Sequence, residues 1–272
     1  MTPPIPPRAP LFLLLPLLLA CGARTELPIC LLEGQQRTCE TICGTGVETC
    51  VGGEWTTCTA PRPSSTLPIE VTLRDFSAAH PDFEELAIGL DLGIVAPTLG
   101  PDDKPVYAGN PTTPTTSGQS NFDQWFRDIP GVNATAPFTL ELSATPDEPS
   151  VYRFEAPDCF PIDGQLLGNE GNSHNFHFTL EMQIPFRYVG GESLTFRGDD
   201  DLWVFINRRL AIDLGGVHSQ ETATVSLDDA AATLGITQGE IFPFALFFAE
   251  RHTTGSNFYL ETTITEFALC PP

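Results

Sequence analysis

Gly198-Asp-Asp-Asp-Leu-Trp-Val-Phe-Ile-Asn207 sets three consecutive carboxylates directly before five apolar residues, four of them aromatic or β-branched. Side chains of that kind fit a pleated, packed surface, so Leu202–Ile206 reads as a strand entered through an acidic turn. The same signal recurs on both sides. Phe138-Thr-Leu-Glu-Leu142, Val151-Tyr-Arg-Phe154, Phe176-His-Phe-Thr-Leu-Glu-Met182 and Ser193-Leu-Thr-Phe196 precede it. Leu210-Ala-Ile212, Ala223-Thr-Val-Ser-Leu227, Ile241-Phe-Pro-Phe-Ala-Leu-Phe-Phe248 and Asn257-Phe-Tyr-Leu-Glu-Thr-Thr-Ile264 follow. Eight or nine short strands separated by turns predict an all-β domain, an antiparallel sandwich or barrel. No stretch suggests a parallel βαβ unit.

Helices are few. Leu227–Leu234, stopped by Gly235, has a helical pattern, and Phe122, Trp125 and Phe126 carry the i, i+3, i+4 spacing of a short apolar stripe, with packing as the first expected role. His80-Pro81-Asp-Phe-Glu-Glu predicts a helix start with proline in the first turn and acids beside it. Asn110–Gly118 is a polar loop, and Ile69-Glu-Val-Thr-Leu73 alternates as the first strand of the main domain.

The 272 residues carry 13 Lys+Arg against 35 Asp+Glu, a formal charge of -22. That balance argues against nucleic acid and against anionic membrane surfaces, because both are held by basic side chains and Lys104 is the single lysine. An apolar fraction of 41% with 19 Phe supplies a core and argues against wholesale disorder. The surplus of acids leaves two readings, a solvated extracellular surface or carboxylates that hold a hard cation.

Residues 1–20 read as an export signal whose run Leu11–Ala20 is too short to span a bilayer. Leu18-Leu-Ala-Cys21 resembles the bacterial lipobox, in which the cysteine is lipidated and becomes the mature N-terminus; an ordinary signal peptide with a chance cysteine is the alternative. The expected location is the cell surface or outer membrane as a lipoprotein, or else the secreted fraction. Residues 21–59 form a small cysteine-rich module. Cys30, Cys39, Cys43, Cys50 and Cys58 are disulfide candidates, since paired C-x2-C spacing and histidine, which a zinc site would use, are missing there. Its spacing resembles cysteine-rich segments near the N-termini of secreted myxobacterial proteins. Cys159 and Cys270 stand alone and could pair with each other, leaving one odd cysteine in the module. Residues 60–68 are a Pro/Ser linker, and the main domain runs over 69–272.

Asp199, Asp200 and Asp201 are the densest polar signal. Adjacent carboxylates repel, and a Ca²⁺ ion would relieve that; the alternative is a solvated turn whose carboxylates cap backbone N–H groups. His174, His177, Asp213, His218, Glu250 and His252 invite a metal or acid/base role. His174 and His177 fall on opposite faces of a strand, Asp213 before Gly215-Gly216 reads as a turn carboxylate, and Glu250-Arg251 reads as an ion pair bracing a strand end. Nucleophile-elbow, zinc-protease and phosphate-loop motifs are lacking, so the chain is not expected to be an enzyme.

Gly198–Asn207, Leu210-Ala-Ile-Asp-Leu-Gly-Gly-Val-His218 and Phe247-Phe-Ala-Glu-Arg-His-Thr-Thr-Gly-Ser-Asn257 together resemble the fibro-slime domain, a relative of the PA14 β-sandwich of yeast adhesins. The likeness runs from Arg74-Asp-Phe76 through Phe122-Asp-Gln-Trp-Phe-Arg-Asp128 and His174-Asn-Phe-His-Phe178 to the C-terminus. It departs at Asn207-Arg-Arg-Leu210, where the family favours a glycine after the asparagine. The resemblance implies that Asp199 and Asp200, joined by a cis peptide, hold a Ca²⁺ shared with two sugar hydroxyls, with Asp201 where many relatives have glycine. Asn257 is a candidate for a further oxygen ligand. The expected function is a Ca²⁺-dependent module for an extracellular glycan or matrix polysaccharide, with membrane contact through the lipid anchor only. A structural surface or matrix protein without a small ligand is the alternative, and a carbohydrate-active hydrolase a distant one.

Overall fold

The computed structural model describes residues 30–41, 44–60, 65–84, 88–148, 150–253 and 255–268. The signal, Cys21, Cys43, Cys270 and linker residues 61–64 lie outside them. Two compact units are divided at Arg37/Thr38, Val47/Glu48 and Thr57/Cys58. Near the N-terminus, β1 (Gln36–Thr41), β2 (Gly44–Val51) and β3 (Glu54–Trp55) form a three-stranded sheet in that order. Disulfides join Cys30 to Cys50 and Cys39 to Cys58, as expected of a stretch too short to build its own core. Cys159 is instead a buried free thiol, not half of a pair.

The main unit is all-β. Its strands are β4 (Thr66–Phe76), β5 (Gly89–Leu90), β6 (Asn133–Ala144), β7 (Tyr152–Ala156), β8 (Phe178–Arg187) and β9 (Ser193–Gly198). There follow β10 (Asp201–Ile206), β11 (Arg209–Leu214), β12 (Gly216–Val217), β13 (Glu221–Ser226), β14 (Ile241–Glu250) and β15 (Phe258–Thr262). Ten of them form one sheet in the order β11-β10-β14-β8-β4-β6-β7-β15-β9-β13, and its two end strands approach each other to give a near-closed antiparallel barrel. β5 and β12 pair separately as a short ribbon.

Side-chain parity explains why the central strands read as continuous apolar runs. Leu202, Val204 and Ile206 of β10, with Phe244, Leu246 and Phe248 of β14, enter the main core. Trp203 and Phe205, with Ala245, Phe247 and Ala249, face the other way into a second core. That second core is closed by residues from the long segment before β6, among them Phe83, Ile94, Val95, Tyr107, Phe122 and Trp125. Two packed faces leave no polar side in β10, as in any strand covered on both sides.

Three sequence expectations need correction here. The first main strand begins at Thr66, inside the expected linker, and takes in Pro68. β8 pairs with β4 only over Val71–Asp75, so Pro68 sits where one side of β4 has no partner strand and its missing N–H is harmless. No helix starts at Pro81; turns and bends run through residues 78–84 instead, because Asp82 is drawn away to accept from Ser117 N at 2.6 Å and Trp125 Nε1 at 3.0 Å. The aromatic stripe after Asn121 is helical only over α1 (Gln119–Phe122) and continues as turns, though Phe122, Trp125 and Phe126 are all buried as expected. The helix α2 (Leu227–Leu234) is capped by Ser226 and ends at Gly235, whose φ of 67° is the left-handed stop that glycine accepts readily.

Candidate functional site

Asp199 and Asp200 form the whole connection between β9 and β10, strands that are not neighbours in the sheet. The turn therefore crosses from one flank of the barrel to the other, which brings it against the end of β14 and the start of β15. Ala249 pairs with Asp201 in register, so Glu250 falls beside Asp200. The ribbon of β5 and β12 supplies another wall. Gly216 is required in it, because a Cβ there would stand 2.3 Å from the carbonyl oxygen of Gly89.

These elements enclose a cavity of about 290 Å³ at the barrel rim, lined by Asp199, Asp200, His218, Gln220, Glu250 and His252 among others. Asp200 is buried, takes a φ of 57°, and accepts from the backbone N–H of Arg251 at 2.7 Å. Burial, opposed by Arg251, pushes its carboxyl up to about 7. Glu250 is buried as well; burial and the neighbouring carboxylates Asp200 and Asp199 hold its carboxyl well above the usual range. Its Oε2 has no hydrogen-bond partner among the described residues. Asp199 is half-buried and accepts from Asn257, with Asn257 Nδ2 at 2.6 Å and the Asn257 backbone N–H also donating to it.

Asp201 is not part of this cavity. It is fully buried in the opposite direction, accepting from Arg251 Nε at 2.6 Å and from Gly216 N at 2.7 Å. The expected role of Asp201 in ligand binding is corrected accordingly. Arg251 belongs to the same buried cluster, donating to the carbonyls of Thr115 at 2.7 Å and Asp82 at 3.0 Å with its guanidinium 4.6 Å from the Trp125 ring. The expected Glu250–Arg251 ion pair is thus replaced by Asp201–Arg251. The peptide between Asp199 and Asp200 is trans, since Asn110–Pro111 is the cis bond found among the described residues.

The remaining candidates disperse. His174 Nδ1 stands 2.6 Å from Asp163, and His177 lies between Glu84 at 2.8 Å and Glu170 at 3.4 Å. Asp213 lies within β11 opposite Trp203, accepting from Trp203 Nε1 at 3.0 Å and from Gly215 N at 3.1 Å, so it braces a strand pair where the sequence suggested a turn carboxylate. His218 is held by backbone carbonyls, its Nδ1 2.9 Å from that of Ser219. Among the described residues no three His, Cys, Asp or Glu side chains stand in a metal-holding group. Asp199, Asp200 and Glu250 nonetheless bring carboxyl oxygens to the cavity lining, one of them buried and orphaned, and such a donor set suits a hard cation such as Ca²⁺.

Fold and site together define an all-β antiparallel barrel with an acidic pocket at its rim. No protein-family model matches the chain. Curated relatives from Dictyostelium discoideum do: Protein psiC is 38% identical over 217 residues, covering 74% of this chain and 41% of psiC. Protein psiR is 38% identical over 216 residues, covering 74% of this chain and 21% of psiR. The chain thus spans about a fifth to two fifths of the length of these relatives. Among solved structures, the PA14 sugar-binding domain from an RTX adhesin is 10% identical with a TM-score of 0.26, over 42% of this chain and 71% of that one. The Epithelial Adhesin 9 A domain of Candida glabrata, solved with Galb1-4GlcNAc, is 13% identical with a TM-score of 0.31, over 74% of this chain and 85% of that one.

Proposed function

We propose that the chain is an exported surface protein, anchored by lipid on Cys21, whose barrel binds an extracellular glycan through a Ca²⁺ ion at the rim pocket. The observation that carries this reading is the buried, orphaned Oε2 of Glu250 beside Asp200 in a cavity that Asp199 also lines. A buried carboxyl oxygen without a partner costs free energy that a cation would recover. Asp199 and Asp200 would hold the ion, and Asn257 contributes by orienting Asp199 through its side-chain amide and offering its own carbonyl oxygen. Bound there, Ca²⁺ accepts neutral hydroxyls as ligands, which suits a sugar and does not require the basic residues this chain lacks. The fibro-slime resemblance of the same residues supports the sugar as ligand class.

The test is a Ca²⁺ titration of metal-stripped protein followed by a glycan screen with and without chelator. Ca²⁺ bound only by the native state raises the melting temperature progressively with concentration. Asp199→Asn/Asp200→Asn is expected to remove that rise and the glycan signal while leaving a folded barrel. An unshifted parent at millimolar Ca²⁺ sinks the reading. It would favour the second one, a structural surface or matrix protein, in which Asp199 is simply the cap for Asn257 that its two hydrogen bonds describe. Turnover of a polysaccharide would displace both.

A further inference from the structure

We infer that the rim pocket adjoins a second sugar subsite built on Arg197 and Tyr259, so that the ligand is a neutral chain of at least two sugar units; this rests on the glycan reading proposed above. A smaller cleft of about 100 Å³ lies beside the cavity of about 290 Å³, and Gln220 lines both. Arg197, Tyr259, Glu155 and Asn257 line the cleft, with Ala156 and Pro157 as its apolar part. Asn257 links the two hollows as well, because its Nδ2 donates to Asp199 at 2.6 Å.

Strand register builds the cleft. Tyr259 on β15 stands opposite Glu155 of β7 on one side and Arg197 of β9 on the other. Arg197 donates to Glu155 at 3.0 Å, and its guanidinium lies 4.3 Å from the Tyr259 ring centre. The ring is fixed in turn by its hydroxyl, which donates to Glu261 at 2.6 Å. A guanidinium already held by a ring and a carboxylate has little rotamer freedom left to lose when a ligand arrives.

What the cleft adds is hydrogen-bond donors. The cavity presents the carboxyls of Asp199, Asp200 and Glu250, which engage sugar hydroxyls through the cation. Among the described residues Arg197 is the one Arg or Lys that lines either hollow. Its planar fork of N–H groups can reach two adjacent hydroxyl oxygens at once, and every unit of a neutral sugar chain offers such a pair. Gln220 adds an amide between the two hollows, and Ala156 with Pro157 offers apolar surface to the C–H face of a ring. An acidic sugar fits worse, because Glu155 already stands 3.0 Å from the same guanidinium and the chain carries a formal charge of -22.

The test is calorimetry on the full chain in Ca²⁺ with the methyl glycosides of glucose, galactose and mannose, each beside a disaccharide that ends in the same sugar: cellobiose, lactose and mannobiose. The expected result is at least one disaccharide bound roughly tenfold more tightly than its methyl glycoside, the usual worth of a charged hydrogen bond. Arg197→Gln should lose that gain and still bind the methyl glycoside as the parent does. Arg153→Gln is the structural control, since Arg153 approaches the same ring at 5.6 Å and pairs with Glu261 without lining the cleft; it should keep the gain. A disaccharide no tighter than its methyl glycoside, or a gain that Arg197→Gln retains, overturns the inference and leaves the Ca²⁺ site standing. Equal loss in both variants overturns it too, because Arg197 would then act only by bracing Tyr259. An Arg197-dependent gain that survives chelation upholds the subsite and sinks the Ca²⁺ reading alone. A parent that binds none of these probes overturns both.

Discussion

A strand sends successive side chains to opposite faces, and at the end of β14 that parity separates Glu250 from Arg251. Sequence adjacency suggests an ion pair; geometry assigns Glu250 to the rim cavity and Arg251 to Asp201, Thr115 and Asp82. Parity was available in the sequence, but the partners were not, because Thr115 and Asp82 come from segments distant in the chain. Arg251→Met is expected to cost about 3–5 kcal/mol in chemical denaturation, since it leaves Asp201 buried without its counter-charge. Arg251→Lys should recover only part, because one ammonium cannot reach acceptors spread around a planar guanidinium. The neighbouring carboxyls give a pH signature. A carboxyl raised in the folded state binds its proton more tightly there than when unfolded, so its stabilising contribution is complete below the unfolded value of 3.8 and is lost as pH rises through about 7. Metal-stripped protein should therefore melt at progressively lower temperature across that window, and Glu250→Gln, which removes the buried carboxyl beside Asp200, should flatten the slope.

The elements themselves were legible where one face or both faces are apolar, and illegible where aromatic residues are held by turns. All ten strand segments read from the sequence lie within or across strands of the sheet, and α2 has the expected bounds. Apart from Phe122, Trp125 and Phe126, whose spacing marked them for packing, the outer half of the second core escaped because Phe76, Phe83, Ile94, Val95 and Tyr107 follow no repeating period and pack ring on ring, as in Phe76 against Phe83 at 4.5 Å. The β10–β11 hairpin shows how an element accommodates Asn207-Arg208 at its turn. Asn207 and Arg208 both have positive φ, 50° and 65°, the backbone of a two-residue turn that suits asparagine followed by glycine. Asn207 also donates through Nδ2 to the carbonyls of Leu234 and Gly235 at 3.0 Å each, satisfying the end of α2. Asn207→Ala loses both roles and should cost about 2–3 kcal/mol in thermal or denaturant unfolding. Asn207→Gly keeps the turn and loses only the cap, so it should cost less by about 1 kcal/mol. Equal costs would mean that the turn conformation is not strained by alanine.

At the scale of the molecule, the covalent cross-links and the packed barrel are separate sources of order. Both disulfides found among the described residues close loops within residues 30–58, with sequence separations of 20 and 19. Closing a loop of that size is worth about 3 kcal/mol to the segment it closes, a large sum for a stretch that buries little apolar surface. The barrel instead rests on two buried clusters, and its own described cysteine, Cys159, is a buried thiol whose ionisation is pushed up to about 12 by burial. Such a thiol is a poor nucleophile in the native state. Reductant is therefore expected to change the emission of Trp55 while the near-ultraviolet dichroism of Trp125 and Trp203 persists. Cys159 should resist alkylation under the same conditions and react only once denaturant melts that dichroic band. Loss of the Trp125 and Trp203 signal on reduction alone would show that the cross-links sustain the barrel as well, and rapid labelling of Cys159 would show that the packing around it opens without unfolding.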